Sequence, residues 1–210
     1  MLARIPRTAT VAISAVTALA WLTAVVLGAQ TWAAETMGFI PARLSGAQVP
    51  WAAVPAILTP LSSTLVHNDL LHLGMNLLLF VWCGAAVEKA LGRTSLLLLY
   101  VAGAFAAAAA QWLSDPHGVV PMIGASGAIS AVIGAFALSF GRARPITRSA
   151  RVNRWINILW VLATWIVIQL LVGWTASGQG YLLATPAHIG GFVAGLLLQR
   201  PLLLWRYRTA

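Results

Sequence analysis

The chain has 210 residues, 60% of them hydrophobic and 8% charged, with a formal net charge of +9. A soluble domain carries about 25% charged residues, so these proportions exclude a soluble globular fold and leave an all-α protein built of several membrane spans. Twelve of the thirteen Lys and Arg residues fall in alternate connections between apolar runs, which is the positive-inside pattern and excludes nucleic acid as the partner of that charge.

Arg4 and Arg7 precede an apolar run at 10–32, read as an uncleaved first span rather than a signal peptide because it exceeds the usual signal core. Residues 33–61 form a long connection with four prolines and apolar residues such as Phe39, Ile40 and Leu44, which fits short helical turns lying in the membrane interface. Further spans are expected at 68–90, 94–113, 126–140, 155–174 and 186–204. A basic loop with Arg142, Arg144, Arg148, Arg151 and Arg154 separates the fourth from the fifth. The single cysteine, Cys83, lies inside the second run and forms no intramolecular disulfide. Residues 1–210 thus read as one membrane domain of six spans, with both termini cytoplasmic and only Arg43 among the cations on the outer side.

Polar residues inside membrane spans are costly and mark function by default. They cluster here as His67, His72 and Asn76 in the second span, Ser126 at the start of the fourth and His188 in the sixth. His72 and Asn76 are four apart and share a helix face. Counting to the basic residue that ends each span gives 17 residues for His72 (to Lys89), 16 for Ser126 (to Arg142) and 18 for His188 (to Arg206). At ~1.5 Å per residue these three lie at similar depth, roughly 24 to 27 Å from the inner face, and Asn76 lies about one turn deeper. The fourth span is too short to cross a core ~30 Å thick. Its start must therefore sit below the outer surface, in a pocket walled by protein or water.

Gly124-Ala125-Ser126-Gly127 fits either a small-residue packing surface or a nucleophile at a loop-to-helix junction. The depth coincidence favours the second. A serine hydroxyl needs a base, and His188 is the candidate. Peptide cleavage needs donors for an oxyanion, and Asn76, His72 and the Ser126 N–H are available. Asp69 and Asp115 lie near the outer surface and Glu88 near the inner one, so a Ser–His dyad is expected rather than a triad. Glu88 reads as a structural packing residue, the alternative being a solvated helix end beside Lys89, and His67, at the outer edge, reads as solvated. Gly127, Gly134, Gly191 and Gly195 read as packing positions that draw the fourth and sixth spans together. Nothing calls for a cofactor or a metal.

The chain resembles the rhomboid family of intramembrane serine proteases. The likeness rests on His67, His72 and Asn76 (H-x(4)-H-x(3)-N), Gly84, Glu88 and Gly92 (G-x(3)-E-x(3)-G), the Gly124–Gly127 motif, and Ala187, His188, Gly191 and Gly195 (A-H-x-x-G-x-x-x-G). It covers about residues 38–200. It implies a six-helix fold with a partly embedded first loop and a cap over the site from the loop before the sixth span. Ser126 would be the nucleophile and His188 the base, with His72, Asn76 and the Ser126 N–H as the oxyanion hole and Gly124 beside them. Substrates would be single-pass or other transmembrane proteins, cut near the outer end of a segment that unwinds readily. Two positions depart from the family: Ser130 stands where an aromatic often stacks on the histidine, and Trp51 is followed by Ala52 rather than arginine. The alternatives are a silent relative that binds transmembrane helices and, less in keeping with the apolar inner halves of the spans, a small transporter. High Ala content and Arg in place of Lys suggest a bacterial cell membrane, with the site opening outward.

Overall fold

The computed structural model describes residues 8–141, 146–178 and 184–208. In chain order the helices are α1 (Ala9–Val26), α2 (Gln30–Met37), α3 (Pro41–Leu44), α4 (Thr59–Ser62, between the 3-10 turns Ala56–Leu58 and Ser63–Leu65), α5 (Leu70–Leu91), α6 (Arg93–Ser114), α7 (Ser126–Phe140), α8 (Ala150–Gly178) and α9 (Thr185–Arg206). α1, α5, α6, α8 and α9 are long and apolar enough to cross a membrane. α7 has 15 residues and so spans only ~22 Å. The result is an all-α, multi-pass integral membrane protein. Arg142 and Arg144 fall outside the described residues.

α7 sits at the centre, packed most extensively against α9 and α6 and then α5. A buried apolar cluster joins Phe80, Val87 and Leu91 of α5, Leu96 and Leu99 of α6, and Ile129 and Val132 of α7. Leu71, Leu78, Trp82, Trp160 and Leu197 point outward, as helices solvated by lipid require. The α7–α9 contact is backbone on backbone. A Cβ at Gly191 would run into the Gly127 carbonyl oxygen, and one at Gly195 into that of Ala131. A Cβ at Gly134 would stand 2.5 Å from the Phe192 carbonyl oxygen.

Two expectations need correction. The first span ends at Val26, not near residue 32. Gly28 takes φ +61°, and the Gly28 and Ala29 N–H groups bond to the carbonyls of Val25 and Ala24. This is the paired closure of a helix by a left-handed glycine, after which α2 starts afresh. The fifth span begins at Ala150 rather than 155, because Arg151 and Arg154 are good helix formers and do not stop the helix. Glu88 packs against the start of α1 rather than ending its helix in solvent. Its carboxylate accepts the Ala9 N–H at 2.7 Å, the Thr10 N–H at 2.9 Å and the Thr10 hydroxyl at 2.7 Å. It caps the first turn of α1 from 78 residues away, where unpaired N–H groups and the helix dipole both favour an anion.

Two predictions follow from packing and capping. Gly191→Val should lower stability in detergent by about 1–3 kcal/mol by overpacking the α7–α9 seam, whereas Gly74→Ala, where an added Cβ meets nothing within 4 Å, should be neutral or stabilising by up to ~1 kcal/mol. Thermal unfolding of the two variants checks the contrast. Glu88→Ala should cost about 1–3 kcal/mol, and protease nicking near residue 9 should report the fraying of α1.

Candidate active site

The segment entering α7 is fixed before any side chain of the site is considered. Phe39 and Met122 exchange both backbone hydrogen bonds, at 2.9 and 2.8 Å. The Gly124 N–H donates to the Ser63 carbonyl at 3.0 Å. Gly124 takes φ +105°, and a Cβ there would lie 2.6 Å from His72 Nε2, so only glycine satisfies both the turn and the close approach. The first connection is held in turn by Arg43, which donates to the Val54 carbonyl at 2.7 Å, and by the Trp51 indole N–H, which reaches the Glu35 carbonyl at 3.4 Å. Arg43 thus anchors this loop without an adjacent tryptophan.

Ser126 is the first residue of α7, where N–H groups lack intrahelical partners. Its Oγ lies 2.7 Å from His188 Nε2 on α9. His188 is 8% exposed. The two side chains open into a cavity of about 240 Å³ lined also by His72, Asn76, Met75, Ile129 and Trp165. Asn76 is buried and donates one amide hydrogen to the His72 carbonyl at 2.8 Å. An amide has two such hydrogens, so the second is free for the cavity. Ser130 is buried and spends its hydroxyl on the Ser126 carbonyl at 2.8 Å.

Ser126, His188, His72 and Asn76 therefore meet at one place, with Gly124 against His72. Gly127, Gly134, Gly191 and Gly195 lie along the seam, and Glu88 is at the opposite end of α5. Asp69 caps α5 by accepting the His72 N–H at 2.8 Å, and both Asp69 and Asp115 are exposed. The loop expected to cap the site lies partly outside the described residues.

Two residues behave differently from the sequence reading. His67 is 2% exposed rather than solvated. It packs edge-on against His72, ring centroids 4.9 Å apart, and accepts the Ala125 N–H at 3.4 Å. Burial, aided by the neighbouring His72, pushes its pKa down to about 4, which keeps the ring neutral and able to accept. Gln169 of α8, not singled out above, is buried, and its Oε1 lies 2.7 Å from His188 Nδ1. A signal for it existed. It is a lone amide in an apolar run, 15 residues beyond Arg154, hence at roughly 22 Å, the depth of the other polar residues.

The chain is similar to known proteins over much of its length. The chain is 30% identical over 169 residues to "Rhomboid protease GlpG" of Pectobacterium atrosepticum, covering 76% of this chain and 56% of that protein. It is 33% identical over 140 residues to the protein of the same name from Serratia proteamaculans, covering 65% and 45%. It is 30% identical over 139 residues to "RHOMBOID-like protein 5" of Arabidopsis thaliana, covering 66% and 42%. The chain thus spans less than two thirds of the length of these relatives. The rhomboid domain profile matches residues 55–205, a stretch that holds α5 to α8, all but the last residue of α9 and every residue lining the cavity. By that match the chain belongs to the rhomboid family.

Proposed function

We propose that this protein is an intramembrane serine endopeptidase that hydrolyses peptide bonds in or near transmembrane segments of other membrane proteins. The observation that carries the reading is the 2.7 Å contact between Ser126 Oγ and His188 Nε2. It lies inside a cavity between helices rather than on an aqueous surface. The relatives named rhomboid protease support the peptidase chemistry, and the place of the cavity among membrane-spanning helices supports substrates in the same membrane.

In this reading Ser126 Oγ attacks the scissile carbonyl carbon as its proton passes to His188 Nε2. The carbonyl oxygen gains negative charge. The Ser126 N–H at the start of α7, the free amide hydrogen of Asn76 and His72 face that charge. As the tetrahedral intermediate collapses, His188 returns the proton to the leaving amine. Water, activated by the same imidazole, then releases the acyl group from Ser126. The short α7 keeps Ser126 below the outer surface, so a substrate helix must unwind locally to present an extended bond. The basic connections would face the cytoplasm of a bacterial cell and the cavity would open outward.

Fluorophosphonate labelling of the purified protein tests the assignment. The wild type should label, and Ser126→Ala should not label at all. His188→Ala should label at least about 10⁴-fold more slowly. A folded wild type that resists labelling would favour a protein that binds transmembrane helices without cutting them. With a cleavable membrane substrate, Asn76→Ala should lower turnover by about 100- to 1,000-fold with little change in KM. An equal rise in KM instead would make Asn76 a binding residue only.

A further inference from the structure

His188 is gripped at two points by α8. Gln169 Oε1 meets its Nδ1 at 2.7 Å, and one turn earlier the Trp165 indole N–H donates to its backbone carbonyl at 3.3 Å. Trp165 also stacks on Phe192, with centroids 4.7 Å apart and planes within 8°. An i, i+4 pair on α8 thus sits on an i, i+4 pair on α9. Oε1 of an amide can only accept, so Nδ1 carries the ring proton and donates it. A neutral imidazole has one such proton. Nε2 is therefore left with its lone pair facing the Ser126 hydroxyl 2.7 Å away.

We propose that Gln169 is a positioning residue that fixes both the tautomer and the ring plane of His188 for proton transfer from Ser126. The proposal rests on the proteolytic reading above. Asp69 and Asp115 are exposed and Ser130 commits its hydroxyl to the Ser126 carbonyl, so the orienting contact falls to α8. An amide suits that place better than a carboxylate. α8 is the least buried of the spans, and an ion there would be costly beside lipid. The amide holds the neutral ring without that cost, and its bond to Nδ1 strengthens when the imidazolium forms. The opposite amide orientation would place the ring proton on Nε2, aimed at Ser126 Oγ, and the serine would have no base.

The test uses the full chain in detergent with two variants: Gln169→Leu, of similar size but with no acceptor, and Gln169→Glu, which keeps one. The ¹⁵N spectrum of the His188 ring, identified by its loss in His188→Ala, should show Nδ1 protonated in the wild type and a tautomer mixture in Gln169→Leu. Labelling by the fluorophosphonate should fall roughly 10- to 100-fold in Gln169→Leu, the weight of one buried hydrogen bond left unpaired. Gln169→Glu should recover most of that loss. A wild-type ring protonated at Nε2, or wild-type labelling rates in folded Gln169→Leu, would overturn the proposal. If Gln169→Leu does not fold, the wild-type spectrum decides alone. A wild type that never labels would instead remove the proteolytic reading, and the spectrum would still test the Gln169–His188 bond.

Discussion

The structure depends on how closely α7 and α9 approach. Lipid is as apolar as leucine, so helices in a bilayer gain little from hydrophobic burial and associate through van der Waals contact and hydrogen bonds. The seam uses the first of these. Gly191 lies against the Gly127 carbonyl, Gly195 against that of Ala131 and Gly134 against that of Phe192. Serine has a reach of one carbon, and no longer side chain can compensate for a wider gap. Gly127 follows Ser126 directly and Gly191 is one turn beyond His188, so the packing residues and the reacting pair occupy the same level of the two helices. The 2.7 Å contact between Oγ and Nε2 is in this sense a property of the glycines.

Shortness of α7 imposes the second constraint. A helix of ~22 Å inside a ~30 Å core leaves the chain that enters it at membrane depth without helical hydrogen bonds, which lipid cannot replace. The first connection supplies them. Phe39 pairs with Met122, Ser63 accepts from Gly124, and the Ala42 N–H donates to the Gly118 carbonyl at 3.0 Å. Ser45 joins the Trp112 indole N–H to the Pro116 carbonyl through contacts of 2.9 and 2.7 Å. The long proline-bearing loop is therefore the partner of the loop before Ser126. Its own backbone is satisfied by Arg43 and by the Val54–Thr36 bond.

The spans, the central serine and the converging polar residues were legible because each leaves a local mark: an apolar run, a short run, or a polar residue at a countable depth. Gly28, His67 and the partners of Glu88 leave no such mark, for a common physical reason. Each is defined by a partner distant in the chain or by one backbone angle. Glu88 next to Lys89 looks like any helix end in water until Thr10 is known to stand over it. His67 precedes the helix start and is buried only because the connection and Ala125 close around it. The apolar run at 10–32 holds Gly28 as a tolerable helix residue, and only the Val25 and Ala24 carbonyls make it a stop. Gln169 differs, since a lone amide in an apolar run does carry a countable depth.

Two groups of polar contacts stand out within the spans. At the end of α7 that begins with Ser126 lie His72, Asn76, Gln169 and His188. Toward the other end Glu88 meets Thr10, and Gln199 donates to Ser139 at 3.2 Å. The second level is made of bonds whose partners satisfy each other and leave nothing to react. The first level is built differently. Its amides meet the histidine or line the cavity, and Ser126 Oγ lies 2.7 Å from His188 Nε2. A bundle short of hydrophobic driving force uses paired polar groups as fasteners at both levels. Among the described residues, only the level where α7 begins sets a serine hydroxyl against an imidazole nitrogen, Ser126 Oγ and His188 Nε2, with open space beside them. That difference, rather than the presence of polar residues in the membrane, separates a site from a fastening.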